Sequence, residues 1–111
     1  NLLLRHSDLN GLEISLKKIP LYEGAIEALN NNVKSSINDA NKNSIINNLS
    51  VDYNKINTKY LNCLFDPQTA GGFLFILDST QKRILDELEK KKINYSYIGR
   101  VTNTRKKIKI I

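Results

Sequence analysis

Leu12, Ile14 and Leu16 alternate with Glu13, Ser15 and Lys17. A period of two turns one face of a strand inward and the other toward water, so this stretch predicts a half-exposed strand over 12–17. Ile19-Pro20 breaks it, and the period then becomes helical. Ala25, Ile26 and Leu29 share one face of a helix predicted over 23–30, which Asn30-Asn31-Asn32 ends. Ile45, Ile46 and Leu49 predict a weaker helix over 38–48, because its many asparagines compete for local hydrogen bonds. Residues 50–55 read as a mobile loop. Residues 56–64 read as a helix with Tyr60, Leu61 and Leu64 inward and Cys63 on or near that face.

The longest apolar run follows. Phe73-Leu74-Phe75-Ile76-Leu77 is continuously apolar rather than alternating, which predicts a strand over 72–77 buried on both faces. Asp78 or Ser79 caps a helix over 80–92, with Ile84, Leu85 and Leu88 as its inner stripe. A strand over 95–101 completes a β-α-β pattern. The two strands are therefore expected to be parallel, with a right-handed crossover. Ile108 and Ile110 alternate with Lys107 and Lys109, predicting an antiparallel edge strand over 106–111 guarded by its lysines. At the other end, residues 1–9 read as the end of a helix, stopped by Asn10-Gly11. The whole pattern predicts an α+β fold, with helices packed on a mixed sheet of about four strands and a right-handed βαβ unit.

The 111 residues make one domain, large enough to bury a core. Asparagine and lysine are abundant, which reads as compositional bias rather than chemistry. The net charge of +6 raises the question of nucleic acid. Part of the excess sits in Lys90-Lys91-Lys92, where a basic helix end complements the helix dipole, and part in Arg105-Lys106-Lys107 with Lys109. No stacking-aromatic motif accompanies either run, so direct nucleic-acid binding is not expected. The single Cys63 cannot form an intrachain disulfide and suits a reducing, cytoplasmic setting. It reads as a small buried hydrophobe. No apolar run is long enough to span a bilayer, and no signal peptide is present. The chain starts without Met, inside a predicted helix, and reads as a piece of something longer.

The chemistry is concentrated just before the apolar run. Asp66-Pro67 opens a turn, because proline fixes φ and the carboxylate can accept from N–H groups two residues on. Gly71-Gly72 permits positive φ and close approach of another group. Backbone N–H groups beside glycines bind anions well, so Asp66, Thr69, Gly71 and Gly72 are suited to positioning a phosphate or a metal-bound water. On local chemistry alone, the same residues also read as a plain turn. His6-Ser7-Asp8 has the letters of a catalytic triad, but neighbours in one helical turn point in different directions. The sequence carries no metal cluster, no phosphate loop with a lysine and no usable nucleophile-base set.

Leu64-Phe65-Asp66-Pro67-Gln68-Thr69-Ala70-Gly71-Gly72 resembles the DPQT(S/A)GG signature of the selenophosphate synthetases, or selenide, water dikinases. Ile19-Pro20-Leu21-Tyr22-Glu23-Gly24-Ala25 is similar to the family's IPLLxGA segment. Val33-Lys34-Ser35-Ser36 followed by Asn41 sits where the family has a small-residue turn and a helix. Ile98-Gly99-Arg100-Val101 resembles its late IGxV strand. The likeness runs from about Leu2 to Val101 and covers only the C-terminal domain of that two-domain enzyme. Departures are Ala70 for the commoner Ser and the bulky Phe73 and Phe75.

The resemblance implies a C-terminal domain like that of aminoimidazole ribonucleotide synthetase, with the N-terminal catalytic and ATP-binding domain absent from this chain. The parent would make selenophosphate from selenide, ATP and water, releasing AMP and phosphate, for selenocysteine synthesis. ATP and Mg²⁺ would belong to that parent, with none held by this chain alone. The implied cleft-lining residues are Asp66, Gln68, Thr69, Gly71 and Gly72, with no catalytic and no metal-binding residue. The implied partners are the N-terminal domain and, in the parent, a second copy; nucleic acid and membrane are not among them. The isolated chain is expected to be inactive. Two other readings stand beside this one: the C-terminal domain of another member of the same ATP-using superfamily, and a non-enzymatic basic binding module.

Overall fold

A computed structural model describes residues 11–67, 71–104 and 107–111. Four strands form one mixed sheet: β1 (Gly11–Ile14), β2 (Leu49–Val51), β3 (Gly99–Thr102) and β4 (Ile108–Ile110), in the order β2-β4-β1-β3. β1 pairs antiparallel with β3, and β4 pairs parallel with both β1 and β2. Four α-helices accompany it among the described residues: α1 (Ala25–Asn30), α2 (Asn38–Ile45), α3 (Thr58–Leu61) and α4 (Lys82–Lys90). The α+β class and the mixed four-stranded sheet are as the sequence predicts. No helix among the described residues is long and apolar enough to cross a membrane. The predicted helix over 1–9 and the Arg105-Lys106 run lie outside the described residues.

The pleat sorts the sheet's side chains. Ile14, Ile108, Ile110, Leu49 and Val51 pack with Leu16, Ile56, Leu61 and Phe65 in the core. The register puts Glu13 beside both Arg100 and Lys109, and Lys109 beside Ser50. Alternation turns this polar row to the opposite face. There Glu13 pairs with Arg100 at 2.9 Å and Lys109 at 3.5 Å, tying three strands together.

Three expectations about the sheet need correction. The predicted strand over 72–77 is not a strand, and its residues make no backbone ladder with the sheet. The βαβ unit expected over 72–101 is therefore absent. The parallel connection lies earlier: β1 and β2 run the same way, joined through α1 and α2, with β4 inserted between them. β4 is central and parallel, not an antiparallel edge. Its alternation is as predicted, but Lys109 faces Glu13 instead of guarding an edge. Finally, β2 replaces the predicted mobile loop at its start. The turn after it is fixed by Asp52, whose carboxylate accepts from Asn54 N at 3.2 Å and pairs with Lys55 at 3.0 Å.

The helices follow their sequence signals more closely. The chain leaves α1 through Asn32 in the left-handed region (φ 60°), and Val33 N donates to Ala28 O at 2.8 Å. Asparagine tolerates that conformation, so it can close a helix as glycine does. Asp78 prepares the entry to α4. Its carboxylate accepts from Thr80 N at 2.9 Å, while Gln81 Oε1 accepts from Asp78 N at 2.9 Å. This reciprocal pair closes a turn ahead of α4, whose own N-cap, Gln81, makes no side-chain cap bond, and the Thr80 N–H holds the Asp78 carboxyl below its ordinary value. The stripe of α4 is not an inner one, however. Ile84 is exposed, and Leu85 and Leu88 are only half-buried. Tyr60 of α3, expected inward, is also exposed.

Candidate functional site

The loop from Asp66 to Gly72 is built differently at its two ends. A 3-10 turn over Asn62–Phe65 leads into it, and the Phe65 ring at its end is buried among Leu16, Ile56, Leu61 and Ile110. α2 holds this turn from the side. Asn41 Nδ2 donates to the Phe65 carbonyl at 2.9 Å, and Asn38 Nδ2 donates to the Asn62 carbonyl at 3.4 Å. Asn38 is 2% exposed and is the buried polar residue of the domain's described part. Both asparagines satisfy carbonyls that a short turn leaves without helical partners. Their spacing of three puts them on one face of α2, opposite two carbonyls also three residues apart.

Asp66 caps the 3-10 turn with extended backbone (φ −68°, ψ 130°), its N–H donating to Cys63 O at 3.4 Å. The carboxylate acts on its neighbourhood. The Cys63 thiol is pushed above its ordinary value, first by burial and then by the Asp66 charge. A thiol shifted this way is a poor nucleophile, in keeping with the structural role read from the sequence, although Cys63 is half-buried rather than fully buried.

Gln68 and Thr69 lie outside the described residues, as does Ala70. At the far end, Gly71 is half-buried and Gly72 is exposed. Gly72 does not take positive φ, and a Cβ built on it meets nothing within 4 Å. The expected conformational reason for this glycine is therefore absent. So is the expected setting: Gly72 leads into an exposed segment, not into a buried central strand.

The arrangement amounts to a turn whose carbonyls are anchored just before Asp66, at the mouth of a stretch that ends in Gly71-Gly72. Among the described residues no three His, Cys, Asp or Glu side chains gather to hold a metal ion. The acids on either side, Asp52 and Asp78, are each engaged in their own turns. Two shallow cavities lie elsewhere. One of about 280 Å³ is lined by Glu13, Lys18, Tyr97 and Arg100; one of about 250 Å³ is lined by Leu16, Lys55, Ile56 and Tyr60. Neither is lined by Asp66, Gly71 or Gly72. Sequence reasoning did not identify Asn38 and Asn41 as anchors of the loop. Their i,i+3 spacing was visible, but their acceptors come from a turn 24 residues away. Compared with models of protein families and with curated proteins, the chain matches none.

Proposed function

We propose that this chain is the C-terminal domain of a selenide, water dikinase, serving the synthesis of selenophosphate from selenide, ATP and water. The observation that carries the reading is the unbroken run from Leu64 to Gly72, in which Asp66, Pro67, Gln68, Thr69, Gly71 and Gly72 all stand as in that family's signature. Phosphoryl transfer depends on positioning, charge neutralisation and exclusion of water. A second domain can supply the first and last of these without a nucleophile of its own. In this reading Asp66 and Thr69 position a polar group in the cleft, and the Gly71-Gly72 backbone allows close approach. ATP and Mg²⁺ are held by the other domain, which provides the charge neutralisation. The anchoring of the Phe65 carbonyl by Asn41 supports a positioning role, because it fixes the backbone from which Asp66 projects.

The test is made in the full-length parent with Asp66→Ala and Thr69→Val. Selenide-dependent AMP release is expected to fall on the order of 100-fold, with the melting temperature little changed. If melting drops while turnover per folded molecule stays at the wild-type level, the loop is architecture and the reading is wrong. The isolated chain is expected to release no AMP from ATP, Mg²⁺ and selenide; release at the rate of the parent would equally overturn it.

A further inference from the structure

The cavity of about 250 Å³ is formed by the 3-10 turn Leu16–Lys18 and the start of α3. Its apolar lining is Leu16 and Ile56, both buried members of the core, together with Tyr60. Its polar lining is Lys17, Lys55 and Asn57. Hydrogen bonds hold both sides in place. Leu16 N donates to Ile111 O at 2.9 Å, and Tyr60 N donates to Asn57 O at 3.0 Å. The Asn57 side chain caps α3 by accepting from Lys59 N at 3.1 Å.

Two lysines and no Asp or Glu line this cavity among the described residues. Lys17 makes no ion pair with a described residue. Lys55 pairs with Asp52 at 3.0 Å, but its side chain is 77% exposed. A pair so open to water contributes little, so Lys55 is free to turn to a ligand. The other cavity differs. It is lined by Glu13 and by Arg100, which pair with each other at 2.9 Å, so charge is already matched within it.

We propose that this cavity binds a small aromatic carboxylate, its ring against Leu16, Ile56 and Tyr60 and its carboxylate met by Lys17 and Lys55. Apolar walls with a few polar groups at fixed places are the usual make-up of a small-molecule site. Both halves of the ligand are needed. Inorganic phosphate would satisfy the lysines and leave the apolar lining in water; a neutral arene would cover that lining and leave the charge unused. The size sets the body. A closed apolar cavity of about 150 Å³ holds benzene, so about 250 Å³ takes a fused two-ring acid. The inference does not rest on the selenophosphate reading, and neither fails with the other.

The test titrates the full chain with 2-naphthoate by NMR at about 0.15 M salt, where exposed charges are screened. Saturable binding is expected with a Kd of about 1 mM or below, within reach of a ligand of this size. The Ile56 and Tyr60 amide resonances are expected among those that move. Neutral 2-naphthalenemethanol and inorganic phosphate are each expected to bind at least about fivefold more weakly, since each makes half of the contacts. The net charge of +6 draws any anion, so two variants with the same charge change are compared. Lys17→Glu is expected to weaken naphthoate at least about fivefold. Lys82→Glu, at the start of α4 and lining neither cavity, is expected to change it less than about twofold. Circular dichroism checks that both variants are folded. No saturable binding up to about 5 mM overturns the proposal. So does tighter or equal binding of the alcohol or of phosphate, an equal effect of the two variants, or a set of shifts that spares Ile56 and Tyr60.

Discussion

Asn41 donates its side-chain amide to the carbonyl of Phe65 across 2.9 Å, joining the middle of α2 to the last residue before the Asp66 loop. The bond spans 24 residues of sequence and is partly buried. It turns one asparagine of a region rich in them into a structural link, while its neighbour Asn43 is exposed.

Asn41→Ala is therefore expected to cost about 1–2 kcal/mol, because the Phe65 carbonyl loses its donor in a place water reaches poorly. For a domain of this size that lowers melting by roughly 5 °C or more. Asn43→Ala is expected to be neutral or slightly stabilising, since alanine is the better helix former. Chemical denaturation of both variants checks the contrast. Equal effects would mean that the Asn41 bond contributes nothing of its own.

Gly99 and Gly72 make a second contrast. A Cβ on Gly99 would collide with the backbone carbonyl of Glu13, which the β1–β3 ladder holds in place. Gly99→Ala is expected to destabilise the domain by about 3 kcal/mol. Gly72→Ala meets open space and is expected to stay within about 0.5 kcal/mol of wild type. Melting curves of the two variants decide this. In the proposed two-domain parent, Gly72→Ala is then a clean probe of the loop, because any loss of turnover comes without loss of fold.

The raised pKa of Cys63 predicts its reactivity and a pH dependence. Iodoacetamide at about pH 8.5, an ordinary thiol's midpoint, is expected to alkylate it more slowly than an unfolded peptide thiol. Asp66→Asn removes the second cause of the shift and is expected to speed the reaction, though not to the peptide rate, because burial remains. The sign for stability follows. The folded thiol holds its proton more tightly than the unfolded one, so its contribution is present below the unfolded pKa. It is lost as pH rises through the folded value. Cys63→Ala is expected to flatten that alkaline loss in urea titrations, and an unchanged slope would contradict it.

The sequence by itself determined the elements with a local cause. Alternation at Leu12 and Ile14 and at Ile108 and Ile110 marked two strands, and the Asn30-Asn31-Asn32 stop marked the end of α1, while Asp78 holds a turn ahead of α4, whose N-cap is Gln81. The class of fold follows from these. The tertiary structure decided what depends on partners. Alternation shows that one face of a strand is buried but not how many neighbours the strand has, so β4 read as an edge although it is the parallel centre. Leu49-Ser50-Val51 is too short to show a period, and it becomes a strand only because β4 lies beside it. Conversely, the run from Phe73 to Leu77 carries the strongest local signal in the chain, yet it joins no ladder here. Apolarity measures the gain from leaving water, whereas a strand also needs a free edge at the right place to receive it. The Asp66 loop shows the same division. Asp66-Pro67 carries a local turn signal, but the anchoring of the 3-10 turn before it by Asn38 and Asn41 depends on α2 folding back against it, which no local pattern encodes.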